Sequence, residues 1–78
     1  MSVQERVNKI LLENLDVSES DLTPDAHLRS TLGATSVDVV EILAALENEF
    51  GMEVSNEEIQ DLRTVGDIVK FIEARVAQ

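Results

Sequence analysis

The sequence predicts an all-α fold, a small four-helix bundle of three longer helices and one short third helix, with a long loop between helices one and two. Three observations predict it. A helix-start pattern, Ser or Thr followed three residues later by an acid, occurs at Ser2/Glu5, Thr35/Asp38, Ser55/Glu58 and Thr64/Asp67. The apolar residues behind these starts return at helical spacing, and no β-type alternation persists beyond a few residues. Two phenylalanines are the only aromatic residues, and the single proline, Pro24, lies between helical runs. At 78 residues the chain is read as one domain, residues 1–78. A single core of that size supplies only ~3–5 kcal/mol of net stability.

The first helix starts at Ser2, whose hydroxyl can accept from an orphan N–H of the first turn. It carries Val3, Val7, Ile10, Leu11 and Leu15 on one side. From Asp16 to Ala34 no strong helical period exists, and a loop this long inside a small domain is usually functional or locally structured. Leu22, Leu28 and Leu32 are expected to pin it to the core. Thr23-Pro24-Asp25 is expected to begin a single helical turn with Pro24 at its favoured first position. The second helix runs from about Ser36 to Phe50 and stops at Gly51, with Val39, Leu43, Leu46 and Phe50 as its buried stripe. The third is a turn or two around Asn56–Leu62. The last buries Val65, Ile68, Val69, Ile72 and Val76.

Six basic residues against sixteen acidic ones give a net charge of −10, which repels phosphate backbones and anionic lipid and argues against nucleic acid as a partner. No lysine or arginine occurs between Arg29 and Arg63, whereas Asp38, Glu41, Glu47, Glu49, Glu53, Glu57, Glu58 and Asp61 all do. The middle of the chain is therefore an acidic surface, either solvated for solubility or a docking face for basic partners. There is no cysteine for a disulfide or thiolate site, and Asp16–Asp25 lacks the ligand order of an EF-hand loop, so no metal is expected. The start has no basic segment followed by an apolar run, and no stretch approaches the ~20 apolar residues of a membrane span. A cytoplasmic protein without a membrane span is the expectation.

LGATSVDVVE, Leu32–Glu41, places Ser36 where a glycine-containing loop becomes a helix. A nucleophilic serine needs a base and an oxyanion site, but His27 is the only histidine and no Gly-x-Ser-x-Gly elbow is present. No catalytic residue is assigned, and His27 is read as a surface or loop-packing residue. Ser36 is better read as a serine that is acted upon, because N–H groups and the dipole at a helix start favour a phosphate ester on a first-turn hydroxyl. The plainer alternative is that Ser36 only caps the helix; Thr35 can supply that cap itself.

From about Val3 to Glu73 the chain resembles the acyl carrier proteins. That family carries 4′-phosphopantetheine on the serine of a Gly-Ala/Gly-Asp-Ser-Leu motif at the start of the second helix. Here the motif reads Gly33-Ala34-Thr35-Ser36-Val37. The flanks are similar too, with ERVNKILLENL (Glu5–Leu15), VDVVEILAALENEFGMEVSNEEI (Val37–Ile59) and TVGDIVKFIE (Thr64–Glu73). The resemblance implies covalent 4′-phosphopantetheine on Ser36 and a non-enzymatic carrier of acyl or related thioesters. The pathway it implies is fatty acid or polyketide synthesis, or a specialised acyl or aminoacyl route. Two positions depart, Thr35 for the usual aspartate and Val37 for the usual leucine, and Thr35 is the candidate specificity element.

On a helical wheel Asp38, Glu41 and Asn48 fall opposite the expected buried stripe, with Val37 and Ala44 on a flank between core and water. An acidic ridge beside small apolar residues is suited to a basic partner, charge steering the encounter and apolar contacts setting the register. Val37, Asp38, Glu41, Ala44, Glu47 and Glu53 are the candidate docking residues. The resemblance implies as partners a phosphopantetheinyl transferase (holo-synthase) and acyl-transferring, ketosynthase-type or acyl-ligase enzymes with basic surfaces, the carrier itself being a monomer. It also implies that an acyl chain can enter between the helices, which the small Ala44 and Ala45 would permit. The competing reading is a non-catalytic acidic helical protein-interaction module.

Overall fold

A reciprocal pair of hydrogen bonds stands at each of the four expected helix starts in the computed structural model, which describes residues 1–76. Ser2 Oγ accepts from the Glu5 N–H at 3.1 Å while the Ser2 N–H donates to Glu5 Oε1 at 3.0 Å. Thr35 and Asp38 repeat this at 3.1 and 2.9 Å, Ser55 and Glu58 at 3.1 and 3.0 Å, and Thr64 and Asp67 at 3.1 Å both ways. These pairs open α1 (Val3–Asn14), α2 (Ser36–Phe50), α3 (Asn56–Ile59) and α4 (Val65–Val76). Each serves two N–H groups that a helix start leaves unmatched. Donation from the backbone of Ser2, Ser55 and Thr64 holds the carboxyls of Glu5, Glu58 and Asp67 below their ordinary values.

Four helices and no strand among the described residues make the all-α bundle. Helix α1 packs on both α2 and α4. Its Val7, Ile10 and Leu11 meet Ile42, Leu43 and Leu46 of α2 and Val65, Ile68, Val69 and Ile72 of α4 in one apolar core, and no polar or charged described side chain is buried there. Val76, expected in that core, is 49% exposed and lies outside it. Helix α3 is shorter than expected. It ends at Ile59, and the i→i+3 bonds Asp61 N–H to Glu58 O and Leu62 N–H to Ile59 O tighten the chain so that Leu62 drops into the core.

The buried stripe of α2 differs from the wheel reading. Ile42, at 1% exposure, lies at its centre with Leu46 and Leu43, while Val39 and Phe50 are only half-buried. Taking steps of four, three and four through Val39, Leu43, Leu46 and Phe50 followed one edge of the stripe and left out Ile42. At about 100° per residue the true centre is rotated, and the outward face rotates with it. Asp38 thereby moves from the outward face to a half-buried flank. Val37 and Ala44 move from the flank into the middle of the exposed face, beside Glu41. Gly51 ends the helix as expected, at φ 60°, with the Met52 N–H bound to Glu47 O at 3.1 Å.

The connection between α1 and α2 is ordered throughout. Leu22, Leu28 and Leu32 are buried as expected, joined by Ala26 and Ala34. Its helical turn is a 3₁₀ turn at Glu19–Asp21, opened by the Ser18 N–H on Asp21 Oδ2 at 2.9 Å, whereas Pro24 occupies a single hydrogen-bonded turn from Thr23 O to the Ala26 N–H. Ser18 and Asp21 carry the helix-start spacing, but no apolar period follows them. The segment then docks on the start of α4: the Leu28 N–H donates to Arg63 O at 2.9 Å, the Val65 N–H to Ala26 O at 3.0 Å, and the Gly66 N–H to Pro24 O at 3.0 Å. His27 and Thr64 form an isolated antiparallel bridge there. A side chain at position 66 would require Pro24 to shift, since a Cβ would lie 2.9 Å from Pro24 O.

Two arginines brace the outside. Arg6 Nε meets Glu49 Oε2 at 2.8 Å with its guanidinium 4.2 Å from the Phe50 ring centre, joining α1 to the end of α2. Arg75 pairs with Glu58, lies over Phe71 and donates to Glu53 O at 3.2 Å, joining α4 to α3 and the segment before it. Both pairs are about one-third exposed or more, so each guanidinium acts as much by covering an aromatic ring as by its charge.

Candidate functional site

Ser36 is the first residue of α2 and is exposed. Thr35 takes the capping role, its Oγ1 on the Asp38 N–H and its own N–H on Asp38 Oδ2. Val39 N–H bonds to Thr35 O. The N–H groups of Ser36 and Val37 are left for an acceptor from outside the helix, at its positive end. The Ser36 hydroxyl is therefore structurally unemployed apart from accepting a long bond, 3.3 Å, from Arg29 Nη1.

A positive-φ glycine delivers the serine. Gly33, at φ 73°, closes a run of turns in which the Thr31 and Leu32 N–H groups bond to His27 O, the Gly33 N–H to Arg29 O and the Ala34 N–H to Leu28 O at 2.8 Å. Ala34 and Leu32 are buried on either side, so the backbone entering α2 is held by the core rather than by the serine. His27 Nδ1 accepts from the Arg29 and Ser30 N–H groups at 3.1 and 3.3 Å. The expectation of a loop-packing histidine is thus met in structural terms. With Nδ1 so engaged, His27 is a loop staple, and the side chain that reaches Ser36 Oγ is Arg29.

Beside Ser36 a cavity of about 240 Å³ opens between the loop, α2 and the segment after α3. Leu28, Val39, Ile59 and Leu62 give it an apolar floor, and His27, Arg29 and Arg63 stand around it. Ala44 and Ala45, expected to make room for a chain, do not line it. Ala44 is exposed and Ala45 packs against the core.

The candidate docking residues divide. Val37 is 65% exposed and Glu41 and Ala44 are exposed on one face of α2, with Val40, 66% exposed, among them. Val40 was missed in sequence, although Val37, Val40 and Ala44 at steps of three and four are a second, solvent-side apolar stripe. Asp38 faces its cap instead of the ridge. Glu47 is half-buried, its Oε2 accepting from the Val54 N–H at 2.8 Å. Glu53 is exposed beyond Gly51. Arg29 and Arg63 were noted in sequence only as the limits of the acidic stretch; the docking of the loop on α4 is what brings both to one cavity.

Residues 5–72 match the family model described as the phosphopantetheine attachment site. Among solved structures, an acyl carrier protein from Enterococcus faecalis is 32% identical, with a TM-score of 0.80 over 95% of this chain and 98% of that one. That structure was described for components contributing to high thermal stability.

Proposed function

Because the chain belongs to the phosphopantetheine attachment-site family and is an acyl carrier, we propose that Ser36 is the residue that receives the arm. When bound, 4′-phosphopantetheine supplies a terminal thiol on which acyl groups are held as thioesters. One observation carries the assignment: Ser36 Oγ is exposed at the start of α2, Thr35 has already taken the cap, and the Ser36 and Val37 N–H groups have no acceptor within the helix. A phosphate ester on that hydroxyl would meet those N–H groups and the helix dipole.

The chain's own residues position and present. Gly33, Leu32 and Ala34 hold the approach to α2, and Thr35 with Asp38 holds its first turn. The exposed face of Val37, Val40, Glu41 and Ala44 is the docking surface for a phosphopantetheinyl transferase and for acyl-transferring, ketosynthase-type or acyl-ligase enzymes bearing Lys and Arg. Carriers of this kind are generally non-catalytic, and the engagement of His27 Nδ1 with backbone N–H groups supports the same reading for this chain. No helix among the described residues is long and apolar enough to cross a membrane; we read the carrier as a cytoplasmic monomer of one domain. The cavity beside Ser36 is where the first part of a bound chain would lodge.

Intact-mass measurement after incubation with coenzyme A and a broad transferase tests the assignment. The wild type should gain one phosphopantetheine and Ser36→Ala none. An unmodified wild type would favour the acidic interaction module, and a modified Ser36→Ala would move the attachment elsewhere.

A further inference from the structure

The six basic residues of this acidic chain are not used alike. Arg6 and Arg75 make both ion pairs found among the described residues. Arg29 and Arg63 make none, in a chain with sixteen acids, and both line the cavity beside Ser36. Lys9 and Lys70 also make none, but neither borders that cavity. Arg29 Nη1 already reaches Ser36 Oγ. Arg63 Nε donates to Gln60 O at 3.1 Å, which anchors the side chain and leaves its two terminal nitrogens without an acceptor among the described residues. His27 Nδ1 accepts from two backbone N–H groups, which leaves Nε2 as the ring's donor, and His27 lines the same space.

Donors without acceptors, around an apolar floor and beside a hydroxyl, match a ligand that is anionic at its attached end and uncharged beyond it. We propose that Arg29 and Arg63, with the Nε2–H of His27, form a seat for the phosphodiester of the arm, Arg29 being the primary contact. The inference rests on Ser36 as the attachment point. An ester oxygen on Ser36 brings the phosphate to the atom Arg29 now touches, and a guanidinium presents paired N–H donors suited to two phosphate oxygens. The seat also offsets the added negative charge in a chain already at −10. It restricts the first bonds of the arm, so that the chain beyond the phosphate sets out over Leu28, Val39, Ile59 and Leu62 and not into solvent.

The test uses the loaded carrier, with loading verified by intact mass, in wild type, Arg29→Gln, Arg63→Gln and Arg29→Lys. Phosphorus NMR reads the chemical shift and transverse relaxation of the phosphodiester, and the arginine Nε–H cross-peaks are compared before and after loading. In wild type, loading should move the Arg29 and Arg63 cross-peaks. The phosphorus relaxation rate should fall in both glutamine variants, further in Arg29→Gln, and recover in part in Arg29→Lys. Because both arginines are exposed, melting temperatures should remain those of the wild type. If Arg29→Gln is not loaded, Arg63→Gln and the wild-type cross-peaks decide. Phosphorus signals identical in wild type and the loaded glutamine variants, with arginine cross-peaks unmoved on loading, would overturn the seat and leave Ser36 as the attachment point. A wild type that never loads would overturn the attachment point itself.

Discussion

Replacing Gly66 by alanine should destabilise the protein, although alanine is the better helix former. At an open helical position this change gains ~0.5–1 kcal/mol. Here the new Cβ would meet Pro24 O at 2.9 Å and Pro24 Cβ at 3.4 Å, and the same carbonyl accepts the Gly66 N–H at 3.0 Å. The near neighbour is backbone, so it cannot swing aside; Pro24 must retreat and the hydrogen bond stretches. Overpacking of this kind costs about 1–3 kcal/mol and a weakened hydrogen bond about 0.5–1.5 kcal/mol, against which the propensity gain is small. The net loss is about 1–3 kcal/mol, a large part of the ~3–5 kcal/mol available to a single core of this size. At ~4–8 °C per kcal/mol for a small domain, the melting temperature should fall by roughly 5–20 °C. Thermal and urea denaturation followed by circular dichroism measure it, and faster hydrogen exchange at Leu28, Val65 and Gly66 would locate it. An unchanged or raised melting temperature would refute the reasoning, since the loop would then be free to yield at Pro24.

Replacing Glu41 by lysine should slow transferase modification severalfold with little change in melting, because Glu41 is exposed and makes no ion pair among the described residues; an unaltered rate would remove this face from docking. Salt should raise the melting temperature, since two ion pairs among the described residues leave most of the sixteen acids unpaired in a chain at −10, and screening weakens their repulsion. A flat or falling salt series would contradict it. The Asp67 carboxyl is held below its ordinary value of 3.8, chiefly by the Thr64 N–H. Its stabilising contribution is therefore present above that value and lost as pH falls through the lowered one. Asp67→Asn should flatten the melting-temperature profile below about pH 4, and parallel acid profiles would show the bond to be worth the same in both protonation states. Thr35→Asp should leave stability nearly unchanged, because the Asp38 carboxylate already occupies the Thr35 N–H. It should speed modification by transferases that favour the usual acid; equal rates would make the charge at 35 silent.

What the sequence made legible was what local chemistry decides. Ser2, Thr35, Ser55 and Thr64 announce their helices through hydroxyl and acid spacing, and the structure places a reciprocal cap at each. Gly51 announces the end of α2 because its left-handed conformation suits glycine. The face of α2 was less legible. A stripe drawn at steps of four, three and four from Val39 omitted Ile42, and that rotation misplaced Asp38, Val37 and Ala44 together. Least legible was the loop. Its docking on α4 rests on backbone bonds from Pro24, Ala26 and Leu28 to residues some forty positions away, and backbone atoms leave no mark on side-chain pattern. For the same reason Arg29 and Arg63 could be read as the two ends of an acidic stretch but not as neighbours around one cavity.

The docking of that loop gives the cavity beside Ser36 one wall tied by backbone bonds and another tied by side chains. Pro24, Ala26 and Leu28 are bolted to the first turn of α4, and through Gly33 and Ala34 that attachment fixes where α2 begins. The opposite wall of the cavity comes from Ile59 and Leu62, where α3 is a single turn with no buried side chain of its own. The first wall is held by main-chain hydrogen bonds, the second by the buried Leu62 and the Arg75–Glu58 pair. On the assignment proposed above, the arm would set out from a serine held true by the body of the molecule, much as a workpiece is held by a fixed jaw.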